Sequence, residues 1–221
     1  MRPRTRAAAL ALAAALGATL LAGCASGDDW TQPHDAPTAV GALREGFLPA
    51  SPPSPEATIA PAPDSWADVH PSPGYRVVLL TAGDDAPALA LVAAVEEWAG
   101  AEKVELRTIH ADDDHIGGIV QAMDLHPDLI VTAGNDLIDA LAAVTASHLD
   151  QQFLVVGAEV AEPTGNVTAV DWTGASFRGE GLGASSTYDP ASFTPERCAS
   201  AVRAGVASVL HDLTGIVLWI G

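Results

Sequence analysis

Y-R-V-V-L-L-T (75–81), K-V-E-L-R-T-I (103–109), D-L-I-V-T-A-G (128–134), Q-F-L-V-V-G-A (152–158) and N-V-T-A-V-D (166–171) are five short apolar or alternating runs in one stretch, Tyr75 to Asp171. Between the first four lie three segments of helical period. About 25 residues separate one strand from the next, which leaves room for one helix and two tight loops per unit. That rhythm predicts an α/β fold, an open parallel sheet covered by helices on both faces in three layers.

Val77 to Thr81 reads as a central strand because it is continuously apolar. Val104 to Ile109 alternates, with Glu105 and Arg107 set against Leu106 and Ile109, and so reads as an edge. Helices are expected from Ala86 to Ala99, stopped by Gly100, from Ile116 to Met123, and from Leu137 to Ala146. A fourth, from Glu196 to Asp212, is opened by Thr194-Pro195-Glu196, with threonine as the cap and proline in the first turn. Ile216 to Ile220 is a last short strand or a terminal plug into the core. The domain is expected over residues 75–221.

Upstream, Arg2, Arg4 and Arg6 precede an alanine-rich apolar run from Ala7 to Leu21, and then Leu21-Ala22-Gly23-Cys24. Residues 1–23 read as an export signal, the apolar run being short for a membrane span. The quartet resembles the lipobox of bacterial lipoproteins. That resemblance implies a fatty-acylated Cys24, a membrane anchor and an extracytoplasmic location at the cell membrane. Residues 24–74 carry ten prolines, including S-P-P-S-P at 51–55, and are expected to form a flexible tether that lifts the domain off the membrane.

The chain has 28 acidic and 10 basic residues. Without the three arginines of residues 1–23, seven basic residues remain, an acidic excess of 21. Such a surface repels nucleic acid, which is excluded as a partner. With Cys24 assigned to lipid, Cys198 has no partner in the chain, so no disulfide framework holds the domain, and Cys198 reads as a small buried hydrophobe.

In an open parallel sheet, ligands bind beyond the carboxyl ends of the strands. Here those ends carry Gly83-Asp84-Asp85, His110 to His115, Gly134-Asn135-Asp136 and Gly157-Ala158-Glu159. Asp84, Asp85, Asn135, Asp136 and Glu159 are the candidate ligand-binding residues, because carboxylates and an amide can bracket hydroxyls or a base edge. Each also has a structural reading, Asp85 as a helix cap and Asn135 as a helix start among them. The Asp112-Asp113-Asp114 run reads as a cap and a solvated loop rather than a metal site, since consecutive side chains point apart. No phosphate-gripping glycine motif follows the first strand, and neither G-x-S-x-G nor H-E-x-x-H occurs. The expectation is therefore no cofactor, no metal and no enzyme activity.

The run D-L-I-V-T-A-G-N-D-L-I-D-A-L (128–141), with Q-F-L-V-V-G-A, N-V-T-A-V-D and S-F-R-G-E-G-L-G-A (176–184), resembles the basic membrane protein family. These are substrate-binding lipoproteins of nucleoside-type ABC importers, related to type I periplasmic binding proteins. Phe177, Glu180 and Gly183 fall on the last of the family's patterns. Two departures stand out. The first loop, Ala82 to Ala86, lacks the family's aromatic, and Gly157 stands where an aspartate often ends the fourth strand. The family is also two-lobed, and this chain has room for a single lobe.

The resemblance implies a membrane-anchored receptor for a small polar solute of nucleoside type, with an ABC permease or another envelope protein as partner. A homodimer would supply the missing half of a cleft. The alternative is a non-transporting surface lipoprotein that serves as a protein-interaction or scaffold domain.

Overall fold

The computed structural model describes Trp30 and residues 32–221. Residues 1–23, expected to be an export signal, and Cys24, expected to carry the lipid, lie outside the described residues. Among the described residues no helix is long and apolar enough to cross a membrane.

In chain order the elements are β1 (Ala39–Val40), β2 (Thr58–Ile59), β3 (His70–Pro71), β4 (Arg76–Thr81), α1 (Ala86–Glu102), β5 (Glu105–His110), α2 (His115–Asp124), β6 (Leu129–Ala133), α3 (Ile138–Val144), β7 (Phe153–Val156), β8 (Val167–Asp171), α4 (Pro195–Leu210) and β9 (Val217–Trp219). Seven strands form one parallel sheet in the order β2-β9-β8-β7-β6-β4-β5. The fold class is the α/β sheet expected, and β5 is an edge. β1 and β3 form a separate antiparallel pair.

Strand alternation divides the core in two. Val77, Leu79, Leu129, Val131, Leu154, Val156 and Val170 face α1 and α4. Val78, Leu80, Ile130, Phe153, Val155 and Val167 face α2 and α3. Both faces of the central strands are therefore dry, which is why their sequences read as unbroken apolar runs. Gly205 lets α4 approach the sheet, since a Cβ there would stand 2.5 Å from Leu154 Cδ1.

The helix starts follow the capping chemistry read from the sequence. The Asp85 side chain accepts from Ala88 N at 2.9 Å, Asp114 from Gly117 N at 2.8 Å, and Thr194 from Arg197 N at 3.3 Å. One helix end differs. α1 runs through Gly100 and stops at Lys103, which adopts a left-handed φ of 58°. Buried Trp98 and Ala99 hold that turn, and their packing outweighs the roughly 1 kcal/mol propensity cost of an exposed glycine.

The described part of the expected tether is not a free chain. Thr58 and Ile59 pair with Val217 and Leu218 and extend the sheet. Phe47, Ile59 and Trp66 are buried in the main core, and Phe47 meets Trp66 edge to face at 6.3 Å. The domain therefore begins upstream of residue 75. Proline removes backbone donors but leaves carbonyls and side chains free to dock, and burying one tryptophan and one phenylalanine stabilises by several kcal/mol. Limited proteolysis of the intact protein should leave a resistant core that keeps residues 32–74. Early cleavage between Pro49 and Pro63 that released the rest unchanged would contradict this packing.

The same segment is pinned at the amino-terminal edge of the sheet. Trp30 is 4% exposed. Its Nε1 donates to Glu105 at 2.9 Å, and the Arg107 guanidinium lies 4.3 Å over its ring. Arg76 donates to the carbonyls of Trp30 and Gln32 at 3.3 and 3.0 Å. His34 sits 2.9 Å from Asp128, which also accepts from Arg76 N at 2.8 Å.

Candidate functional site

The strand order reverses direction between β4 and β6: from β4 the chain goes first to β5 on one side and then to β6 on the other. In such sheets the loops leaving the two strands at a reversal part and open a crevice at the carboxyl edge. A cavity of about 440 Å³ opens there. Thr81, Gly83 and Asp84 line it from the end of β4, His110 and Asp112 from the end of β5, and Asp136 from the turn after β6. Leu89 and Val92 of α1 form its apolar side.

The loops brace one another. Gly83 N donates to Asp112 Oδ1 at 2.9 Å. Gly83 takes a φ of +79°, and a Cβ on it would lie 3.7 Å from Asp136 Oδ2. Gly134 has a φ of +119°, and a Cβ there would stand 2.3 Å from the carbonyl oxygen of Ala82. Only glycine allows the β6 turn to lie this close to the β4 loop. Three carboxylates, Asp84, Asp112 and Asp136, therefore border one opening with an imidazole and an apolar wall. Such a set accepts hydrogen bonds from hydroxyl and amino groups, and its volume suits a small molecule.

The five candidates separate in space. Asp84 and Asp136 line the cavity. Asp85 does not, and its Oδ1 caps α1. Asn135 opens a 3-10 turn, Asn135–Leu137, ahead of α3 and is not part of the lining. Glu159 is buried after β7, with Oε1 3.1 Å from Arg178 Nε. His110 and Asp112 line the same cavity but are not among the five, because capping explains the acidic run equally well. Of the family-pattern residues, Glu180 and Gly183 are exposed, and Glu180 N donates to Asp139 of α3.

A second polar cluster lies under the loop after β8. Asp171 is fully buried, and its Oδ1 accepts from Trp172 N and Ser176 N, each at 2.7 Å. Ser176 Oγ donates to the Trp172 carbonyl and meets Ser186 Oγ at 2.9 Å, while Ser186 Oγ accepts from Gly174 N. Asp171 Oδ2 has no hydrogen-bond partner. Burial pushes the Asp171 carboxyl up to about 6; the two backbone donors oppose the rise, Glu159 adds to it and Arg178 opposes it. Burial raises Glu159 as well, against the pull of Arg178. No motif announced this cluster, because Asp171 reads from sequence as an ordinary strand end.

A larger cavity, about 510 Å³, lies at the opposite edge beside Pro33, His34, Arg76 and Glu105. Its Arg76 is already committed to the carbonyls of Trp30 and Gln32, so the carboxyl-edge cavity is the better candidate.

No family model matches the chain, and no curated protein matches it in sequence. Solved structures are similar over part of it, among them the following three. An ABC transporter system solute-binding protein from Conexibacter woesei aligns at 19% identity with a TM-score of 0.37, over 44% of this chain and 35% of that one. A fragment named as a lipoprotein of Peptoclostridium difficile aligns at 15% identity with a TM-score of 0.44, over 62% of this chain and 98% of the fragment. A solute-binding protein of an ABC transporter system from Aeropyrum pernix aligns at 17% identity with a TM-score of 0.38, over 45% and 29%. The chain thus matches about a third of the length of the two solute-binding proteins. None of the three carries the name of the basic membrane protein family.

Proposed function

We propose that this protein is a membrane-anchored solute-binding lobe that holds a small polar solute of nucleoside type and does not transform it. The observation that carries this reading is the convergence of Asp84, Asp112 and Asp136, from three different loops, on one cavity at the point where the strand order reverses. Ribose hydroxyls and exocyclic amino groups offer the donors that three carboxylates require. Leu89 and Val92 offer a face for the apolar side of a base. The Leu21-Ala22-Gly23-Cys24 quartet supports lipid attachment at Cys24, and hence an extracytoplasmic place at the membrane. A permease or another envelope protein is the partner this role requires.

The test is a thermal-shift series on the mature chain against nucleosides, bases, sugars and amino acids at millimolar concentration. A ligand present at 100 times its Kd adds about 2.7 kcal/mol to stability, a rise in Tm of roughly 5–10 °C for a domain of this size. The double variant Asp84→Asn, Asp136→Asn alters two exposed side chains and should keep its own Tm while weakening binding at least about ten-fold, the loss of charge-assisted contacts. If no compound in the series moves the Tm, the solute reading falls and the scaffold alternative replaces it.

A further inference from the structure

We infer that the amino-terminal edge of the sheet is the surface this protein turns toward the lipid bilayer, so that the carboxyl-edge cavity opens on the side away from the membrane. The inference rests on the lipid-anchor reading above and adds an orientation to it.

The geometry starts at Trp30. Its indole, its carbonyl and its neighbours are held by Glu105, Arg107 and Arg76 at the starts of β5 and β4. His34 adds a contact to Asp128, just ahead of β6. The chain therefore reaches the domain at the amino-terminal edge of three neighbouring strands. Cys24 is six residues before Trp30, and whatever their conformation six residues span at most about 20–22 Å. An acylated Cys24 thus keeps this edge within about 22 Å of the headgroups. The cavity lies at the far end of β4, a six-residue strand, and so about 20 Å farther out.

Charge favours the same orientation. Asp84, Asp112, Asp113, Asp114 and Asp136 crowd the carboxyl edge, and an anionic bilayer repels it. The opposite edge is more mixed, with Arg76, Lys103 and Arg107 set among four acids, Asp35, Glu102, Glu105 and Asp128. A solute would then enter from the medium, and a membrane partner would have to reach up to the distal edge to receive it.

The test uses the full-length protein, processed in a bacterial host and reconstituted in vesicles of mixed neutral and anionic lipid. Single labels are placed at Lys103→Cys on the near edge and at Asp113→Cys on the far edge; buried Cys198 stays unlabelled. Energy transfer to headgroup-attached acceptors should be at least about two-fold greater from the near edge, because the edges lie a strand length apart. A long Gly-Ser insertion between residues 26 and 27, which leaves the domain untouched, should lower the near-edge signal and make the two alike. Uptake of labelled fatty acid, abolished in Cys24→Ala, separates the two claims. A wild-type protein that takes up no fatty acid overturns the anchor reading and the orientation with it. An acylated protein whose far edge transfers as much as its near edge, or more, overturns the orientation alone.

Discussion

Asp171→Ala lowers the stability of the domain by about 2–5 kcal/mol, whereas Asp171→Asn at neutral pH does not. The alanine variant leaves the Trp172 and Ser176 N–H groups buried without an acceptor, and each such loss costs about 1–3 kcal/mol. Asparagine keeps an oxygen where Oδ1 stands and removes a charge whose second oxygen has no partner. The pH dependence carries the sign. The folded-state value of about 6 lies above the ordinary 3.8. Below the ordinary value the carboxyl is protonated in folded and unfolded chains alike, and the stability it permits is fully present. As pH rises through the window from 4 to 6 the unfolded chain releases its proton first, and stability is lost until the folded group has titrated too. The full difference is about 3 kcal/mol. Glu159, raised by burial, pushes in the same direction. Urea unfolding of the wild type and Asp171→Asn at pH 4, 5, 6 and 7 is the measurement. Stability of the wild type should fall relative to the variant across this range, and parallel curves would refute the account.

Gly134→Ala should destabilise by at least about 3 kcal/mol and abolish ligand binding at the carboxyl edge. A left-handed backbone costs a non-glycine residue on the order of 1–3 kcal/mol, and the new methyl at 2.3 Å from the Ala82 oxygen forces the β4 loop to move. That loop carries Gly83 and Asp84, so the cavity deforms along with it. Gly165→Ala is the control, since nothing lies within 4 Å of the added methyl and no unusual φ opposes it. It should cost less than about 1 kcal/mol. Equal effects in the two variants would show that the close approach of the β6 turn to the β4 loop is not needed.

The strands and helix caps were legible because they are local. Val77 to Leu80 and Leu129 to Val131 are apolar on both faces, which a buried parallel strand requires and a surface helix does not tolerate. Asp85, Asp114 and Thr194 cap helices within three residues of themselves. What the sequence hid is long-range. Trp66 and Phe47 stand among prolines, and composition alone assigns them to a tether; their burial depends on a core built from residues downstream of Tyr75. That Asp84 and Asp136 share one cavity is readable, because loops after parallel strands face one edge. That His110 and Asp112 join them is not, because a cap and a ligand contact use the same residue types. Asp171 gave no signal, as its partners Ser176, Arg178 and Glu159 belong to loops whose path the spacing does not fix.

The pairing of β2 with β9 sets an order of assembly. Thr58 and Ile59 are made well before Val217 and Leu218, the residues they pair with. At about 5–20 residues per second the first partner waits on the order of ten seconds for the second. During that interval β8 has an open edge, and the apolar faces of Phe47, Ile59 and Trp66 lack part of their cover. Parallel partners so distant in sequence close slowly, since the connecting loop must be ordered before any contact rewards it. The last few residues of the sheet thus act as the clasp of a necklace: every bead can be in place, yet the ring stays open until β9 slides between β8 and β2.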